Sequence, residues 1–182
     1  QKLHPWASGL LGFCAYVYSL EGVTVIFISI YLTSSIGVFG VNTSKLAKLG
    51  ACIATLRDPW IAMGDWNLTQ EELLCSSWLQ KVNAEIIKPT NVNFTSYSGK
   101  GRMLDYAVYS TSAKGIIHSI RAVHDVPWKT HKGIAMKISG HLDASLAFYM
   151  GTPKSFAHPK LKQNVANPDS KRPKRKKEIA DK

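Results

Sequence analysis

The sequence predicts an α/β protein in which layers of sheet and helix form an α/β sandwich. Apolar runs typical of strands alternate with amphipathic helical stretches over residues 13–140. The run Val23–Leu32 is almost continuously apolar and rich in β-branched residues, as expected for a strand covered on both faces. The order strand, strand, helix, strand, helix and then a strand-rich end is typical of a sandwich rather than of a doubly wound nucleotide-binding unit.

The first half of the pattern predicts a hairpin followed by a helix. Phe13–Leu20 and Val23–Leu32 are its strands, and Glu21-Gly22 is the turn between them. Asn42 or Thr43 can cap the helix that follows. Its apolar stripe, at helical spacing, consists of Leu46, Leu49, Ile53 and Leu56.

A short strand and a second helix come next. Trp60–Met63 is an apolar run, and Thr69-Gln70-Glu71-Glu72 is a capping box that begins the helix. The side chains predicted to face inward are Leu73, Leu74, Trp78 and Leu79.

The end of the pattern predicts strands. Phe94–Ser98 and Arg102–Tyr109 read as a hairpin across the turn Gly99-Lys100-Gly101. Ile116–Val123 and His131–Ile138 are the last two predicted strands.

Length and cysteine content favour one globular domain in a reducing compartment. The 182 residues are enough for one domain with a sizeable core. Cys14, Cys52 and Cys75 are odd in number and lack C-x-x-C spacing. We expect them to be reduced, buried side chains, which points to an intracellular compartment rather than to a disulfide framework or a zinc site.

Charge divides the chain into a body and a tail. The formal net charge is +11, and residues 153–182, with ten Lys/Arg and three Asp/Glu, carry +7 of it. Pro residues are frequent and apolar residues sparse from about Gly151 onward. We therefore expect a truncated start at residues 1–12, a partial domain at residues 13–150 and a disordered basic tail at residues 151–182.

One stretch raises the alternative of a membrane span. Gly22–Ser44 carries no charge, and a spanning helix needs about 20 mostly apolar residues. Thr33-Ser34-Ser35 interrupts the apolar run, and its β-branched core favours a buried strand instead.

The strand ending at Gly64-Asp65-Trp66-Asn67 is the centre of the functional prediction. Side chains two residues apart in a strand point to the same face, so Asp65 and Asn67 are expected to emerge together. A carboxylate there can hold or deprotonate a water, and an amide can donate to a phosphate oxygen. The alternative is a strand that runs into an Asx-type turn. Trp66 is expected to point to the opposite face and into the core.

Four motifs follow one another along the chain: Tyr31-Leu32-Thr33, Gly64-Asp65-Trp66-Asn67, Arg102-Met103-Leu104-Asp105-Tyr106 and Lys129-Thr130-His131. Together, over residues 13–140, they resemble the marks of the endonuclease/exonuclease/phosphatase superfamily, Y-x-P, G-D-F/L-N, R-[IL]-D-Y and S-D-H. The resemblance implies that superfamily's α/β sandwich. It also implies hydrolysis of phosphate esters with a divalent cation, Mg²⁺ or Mn²⁺.

The resemblance also implies a role for each catalytic residue. Asp65 positions or deprotonates the attacking water, and Asn67 holds that water or a phosphate oxygen. His131, charged and paired with Asp105, donates to a non-bridging oxygen, since a neighbouring carboxylate raises the pKa of an imidazole. Tyr31 contacts the phosphate or assists the leaving oxygen. Substrate contacts are assigned to Ser34, Arg102 and Thr130.

The chain departs from the superfamily in two places. Thr130 stands where the superfamily has an acid, and a hydroxyl is a weaker ligand for a hard cation. The superfamily's early asparagine and glutamate ligands have no counterpart, so no metal ligand is assigned and the N-terminal half of the domain is expected to be missing. An uncovered sheet edge invites pairing with that half or with another copy. We therefore expect little or no hydrolysis by this polypeptide alone.

The basic tail contains a run that suits nuclear import or a flexible phosphate-binding arm. It predicts a nuclear location, with the cytoplasm as the remaining compartment; the alternative is a merely solubilising end. The basic residues of this run are Lys171, Arg172, Lys174, Arg175, Lys176 and Lys177.

Three functions remain open from the sequence. The first is a retrotransposon-like or repair-type endonuclease that hydrolyses phosphodiester bonds and binds DNA. The alternative is a degenerate, non-catalytic member that serves as a nucleic-acid- or protein-binding module. A third is a fragment of a mobile element. DNA, RNA, inositol phosphates and lipid headgroups are all open as substrates, because a fold does not select among them.

Overall fold

The computed structural model describes residues 2–3 (backbone only), 12–20, 23–127 and 129–138, all within the compact unit Gln1–Met150. The turn predicted at Glu21-Gly22, nearly all of the start predicted at residues 1–12 and the basic tail predicted at residues 151–182 lie outside the described residues.

The described residues contain eight strands in two sheets. The larger sheet has six strands in the order β1-β2-β3-β4-β6-β5, and β7 and β8 form a separate pair. The strands are β1 (Lys2–Leu3), β2 (Phe13–Leu20), β3 (Val23–Tyr31), β4 (Trp60–Asp65), β5 (Ala84–Ile87), β6 (Asp105–Ser110), β7 (Ile117–Val123) and β8 (Gly133–Ile138). The helices are α1 (Val41–Ile53), α2 (Gln70–Cys75), α3 (Trp78–Lys81) and a 3-10 helix (Thr111–Ile116).

The pairing of the central strands brings three chain positions to one edge of the large sheet. β3 and β4 are parallel, with Tyr31 beside Asp65. β4 and β6 are antiparallel, with Asp65 beside Asp105. The carboxyl ends of β3 and β4 therefore meet the amino end of β6.

Each face of the large sheet is covered by a different layer. On one face, Ile28, Leu49, Trp66 and Tyr106 belong to a buried cluster that joins the sheet to the helices. On the other face, residues of β3, β4 and β6 pack against β7 and β8; this cluster includes Phe27, Met63, Ala107, Ile134 and Met136. This layering is the predicted α/β sandwich.

Trp66 lies in the core, as the sequence predicts. Its ring stacks on that of Tyr106, with centroids 5.5 Å apart and planes inclined by 6°. Its indole N–H donates to the Tyr106 carbonyl at 3.1 Å. This pair holds together the backbone beside the two acids of the predicted site, because Trp66 directly follows Asp65 and Tyr106 directly follows Asp105.

Several local predictions are wrong. Gly40, rather than Asn42 or Thr43, occupies the cap position of α1. The second helix is broken into α2 and α3 at Ser77, which has left-handed φ, so Leu74 is half exposed instead of facing inward. The three cysteines are free thiols, but none is buried: Cys14 and Cys52 are partly exposed and Cys75 is exposed.

The strand-rich end also differs from its prediction. β6 begins only at Asp105, and the expected hairpin partner, Phe94–Ser98, makes no regular strand; a single bridge joins Ser96 to Arg102. β6 instead pairs with β5, which the sequence analysis did not identify. β5 is only partly buried, so it lacks the strong apolar pattern that would have identified it.

No helix among the described residues is long and apolar enough to cross a membrane. In the uncharged stretch Gly22–Ser44, the described residues 23–44 form β3, the loop after it and the first turn of α1.

Substitution of Gly64 by alanine is expected to destabilise the fold by about 2 kcal/mol or more. Gly64 has φ +156°, and a Cβ atom there would overlap the backbone oxygen of Ile30 on β3. Gly115→Ala is the control, because a Cβ at that position meets no atom within 4 Å. Urea unfolding of both variants measures the effect, and equal midpoints for the two would contradict it.

Candidate active site

Four polar side chains meet at the edge where the two sheets end. Asp65 is the last residue of β4, Asn67 follows two residues later, Asp105 is the first residue of β6, and His131 lies just before β8. Asp65, Asn67 and Asp105 are buried, and His131 is partly exposed. All four are residues that the motifs singled out.

Asp65 and Asn67 are joined by a tight turn. Asn67 lies beyond the strand with φ +49°, so strand alternation does not explain its position. Its backbone N–H donates to Asp65 Oδ1 at 3.0 Å, and its side-chain amide donates to Asp65 Oδ2 at 2.9 Å and to the Leu32 carbonyl at 2.8 Å. The strand rationale is therefore wrong and the Asx-type turn is present, yet the two side chains do lie together.

Asp105 and His131 link the two sheets. His131 Nδ1 lies 2.8 Å from Asp105 Oδ2, and His131 Nε2 lies 4.0 Å from Asp65 Oδ2. The imidazole therefore bridges two carboxylates that belong to neighbouring strands of the large sheet. Because Nδ1 is engaged by Asp105, Nε2 is the ring nitrogen directed towards Asp65.

Thr95, which no sequence motif singled out, holds this arrangement in place. Its buried hydroxyl accepts hydrogen bonds from the backbone N–H groups of Leu104 and Asp105, at 3.0 and 2.9 Å. Its carbonyl accepts from the N–H of Lys132 at 2.7 Å. One residue thus ties the start of β6 to the start of β8.

The surroundings shift the pKa of both central groups. Burial, and then the nearby Asp105 carboxylate, raise the pKa of Asp65 to about 6, against the opposing effects of His131 and the bonds from Asn67. The hydrogen bond to Asp105 raises the pKa of His131, and burial partly opposes it. A carboxyl group with a raised pKa beside an imidazole with a raised pKa suits proton transfer.

Tyr31 and Ser34 lie at the rim. Tyr31 is 58% exposed, beside Asp65 in the sheet, with the ammonium group of Lys45 5.9 Å from its ring centre. Ser34 is exposed in the loop after β3.

Asn42, fully buried, holds this loop: its side chain accepts from the Thr33 N–H and donates to the carbonyls of Thr33 and Gly37, each at 2.8 Å. An asparagine on the apolar stripe of a helix is the signal that could have identified it.

Arg102 and Thr130 have other contacts. Arg102 pairs with Glu72 at 2.9 Å, and the same carboxylate accepts from the Thr69 N–H in the predicted capping box. The Thr130 side chain is exposed, and its carbonyl accepts from the Tyr97 N–H at 3.0 Å. Neither contact joins these residues to the four-residue cluster.

Asp65, Asp105 and His131 could hold a metal ion, since they offer ligand atoms that all lie within 4.8 Å of one another. Two carboxylates suit a hard divalent cation such as Mg²⁺ or Mn²⁺, and an imidazole suits softer ions. The donor set therefore fits a divalent metal without selecting one.

The sequence matches no protein-family model, and no curated protein is similar to it in sequence. Among solved structures, it is similar to the endonuclease domain of TRAS1, a telomere-specific non-LTR retrotransposon. The TM-score is 0.59 at 14% identity, over 72% of this chain and 65% of that one. Beta toxin from Staphylococcus aureus is similar with a TM-score of 0.53 at 16% identity, over 68% of this chain and 55% of the toxin.

These similarities define the class of fold. The chain shares the α/β sandwich fold of these structures, which is the fold that the resemblance of its four motifs predicts. It spans less than two thirds of the length of either of these structures.

Replacement of Asp65 by asparagine is expected to stabilise the metal-free chain at pH 8. The pKa of Asp65 is raised from 3.8 to about 6 on folding, so the folded chain binds the proton more tightly and loses stability as pH rises through this range. The raised pKa of His131 acts in the same direction, since its stabilisation is lost as pH rises through the folded value. An amide at position 65 removes the buried charge but loses one bond from Asn67, leaving a gain of about 1–2 kcal/mol.

Thermal unfolding in EDTA at pH 5 and pH 8 measures this effect. The exposed Asp58, replaced in the same way, is the control and should leave both transitions unchanged. If the Asp65→Asn variant is less stable than the parent at pH 8, burial of the Asp65 charge does not lower the stability of the parent, and the prediction is wrong.

Proposed function

We propose that the chain is a divalent-metal-dependent hydrolase of phosphodiester bonds in nucleic acid. The observation that carries this proposal is the convergence of four side chains from three separate segments. Asp65 is hydrogen-bonded to Asn67, Asp105 is hydrogen-bonded to His131, and His131 Nε2 lies 4.0 Å from Asp65 Oδ2. The superfamily fold supports the assignment to hydrolases.

In this proposal, Asp65 is the general base. Its pKa of about 6 makes it ionised at neutral pH while it is still basic enough to accept a proton from water. His131, charged through its bond to Asp105, directs Nε2 towards Asp65 and donates to a non-bridging oxygen of a phosphate held between them. Tyr31, beside Asp65, contacts the same phosphate from the rim.

Asn67 acts on Asp65 rather than on the substrate. Both N–H bonds of its amide are engaged, one by Asp65 Oδ2 and one by the Leu32 carbonyl. It therefore fixes the orientation of the carboxylate as a positioning residue. A water or a phosphate oxygen would have to displace one of these bonds to reach the amide.

The carboxylates of Asp65 and Asp105 would hold the divalent cation, for which we propose Mg²⁺ or Mn²⁺, because the charged ring of His131 has no free nitrogen to act as a ligand. When bound, such a cation neutralises charge on phosphate oxygens.

Charge favours nucleic acid as the substrate. A net charge of +11 attracts a polyanion, and the run Lys171–Lys177 suits a phosphate-binding arm and nuclear import. The similar TRAS1 domain is itself an endonuclease. We assign the substrate to nucleic acid and the location to the nucleus on these grounds.

A second candidate is a non-catalytic nucleic-acid-binding module. Thr130, which offers an exposed hydroxyl where the superfamily has an acid, favours it. Binding of nucleic acid without metal-dependent cleavage would select this candidate.

Cleavage of a nicked or abasic DNA duplex in Mg²⁺, with protein in excess over substrate, tests the catalytic proposal. Excess protein makes a slow reaction measurable. The changes Asp65→Asn and His131→Asn should each lower the rate about 100-fold or more, because each removes a proton-transfer or charge-stabilising group. EDTA should abolish cleavage.

The surface variant Asp58→Asn controls for the loss of one negative charge and should cleave as the parent does. Cleavage that is equal in the parent and the Asp65→Asn variant would identify a contaminating nuclease and refute the catalytic role.

A further inference from the structure

An aromatic pair with a buried cation lies beside the candidate active site. Phe94 and Tyr97 belong to the segment between β5 and β6, with ring centroids 5.4 Å apart and planes inclined by 77°. The ammonium group of Lys132 lies 3.8 Å from the centre of the Phe94 ring and 5.4 Å from that of Tyr97. Lys132 is buried, whereas Tyr97 is 51% exposed. The three residues therefore form a small layered unit, which we call the aromatic platform, with Tyr97 at its surface.

Backbone hydrogen bonds join the aromatic platform to the segments that carry Asp105 and His131. The Tyr97 N–H donates to the Thr130 carbonyl at 3.0 Å, and Ser96 bridges to His131. Thr95, next to Phe94, bonds the backbone of Asp105 on one side and of Lys132 on the other. Residues opposite each other in such a bridge lie about 5 Å apart between Cα atoms, so the Tyr97 backbone, next to Ser96, lies close to the backbone of His131.

Contacts between the Lys132 ammonium group and two rings hold the aromatic platform together. A cation over an aromatic face is attracted by the ring, more strongly when desolvated, and here it lies within reach of two rings. Lys132 directly follows His131, so the same backbone positions both. Tyr97 is braced in this way and is half exposed. It therefore presents an aromatic face to solvent beside the candidate active site.

We propose that Tyr97, braced by Phe94 and Lys132, stacks an unpaired nucleobase of the strand whose phosphate lies between Asp65 and His131. Every base has an aromatic face, so such stacking tolerates any sequence and requires only that the base be unstacked from its neighbours. The inference rests on the proposed function, and it narrows the substrate to nucleic acid that is single-stranded or unpaired next to the scissile phosphate.

Equilibrium binding of a fluorescently labelled single-stranded oligonucleotide in EDTA tests this inference without any need for cleavage. Loss of the ring in Tyr97→Ala should weaken binding about 5- to 100-fold, and Tyr97→Phe should bind within about twofold of the parent. The control Leu74→Ala removes a side chain of similar exposure on α2 and should bind as the parent does. Replacement of one base by 2-aminopurine should give quenched fluorescence with the parent and not with Tyr97→Ala.

The salt dependence of binding separates stacking from contact with phosphate. Stacking releases no counterions, so the affinity lost in Tyr97→Ala should be the same at low and high salt. Lys132→Met keeps the bulk of the side chain without its charge and should weaken binding while leaving the salt dependence as it is in the parent. If the slope of log binding constant against log salt concentration becomes shallower by about one unit in this variant, Lys132 holds a phosphate, and its proposed role in bracing Tyr97 is overturned.

Two outcomes distinguish failure of this inference from failure of the proposed function. If Tyr97→Ala binds and cleaves as the parent does while Asp65→Asn does not cleave, base stacking on Tyr97 is refuted and the proposed hydrolase function is retained. If the parent neither binds nor cleaves nucleic acid, both proposals are refuted together.

Discussion

The hydrogen bond between His131 Nδ1 and Asp105 Oδ2 is the interaction on which the site depends. It joins the first residue of β6 in the large sheet to a residue two positions before β8 of the small sheet, at 2.8 Å. It also selects Nε2 as the nitrogen that faces Asp65, 4.0 Å from Oδ2, and it raises the pKa of His131. The orientation of the His131 ring and the direction of its pKa shift are therefore set by this contact, and Thr95 holds its acidic partner in position.

The cluster has a cost in stability that points to function. A buried carboxyl beside another acid is unfavourable when ionised, as the raised pKa of Asp65 indicates. Asn67 in the left-handed region adds backbone strain at the same place. A sequence selected for stability alone would replace Asp65 with a neutral residue, and sites that carry such costs are commonly the ones that perform chemistry.

The sequence predicted much of this architecture, and its failures have physical causes. Apolar runs and helical stripes located the central strands and α1, because burial on both faces of a sheet leaves a strong pattern. Ordered motifs located Asp65, Asn67, Asp105 and His131. Asn67 was found for the wrong reason, because a turn rather than a strand brings it to Asp65. Thr95 could not be predicted, because its partners are backbone groups distant in sequence, whereas a sequence pattern contains only local spacing.

Titration of the His131 ring by NMR, in the metal-free parent and in Asp105→Asn, tests the central claim most directly. The account predicts that His131 titrates above the ordinary histidine value of 6.5 in the parent and at a lower pH in the variant, because the variant lacks the carboxylate that stabilises the charged ring. The same midpoint in both proteins would contradict it, since it would mean that Asp105 does not set the charge of His131.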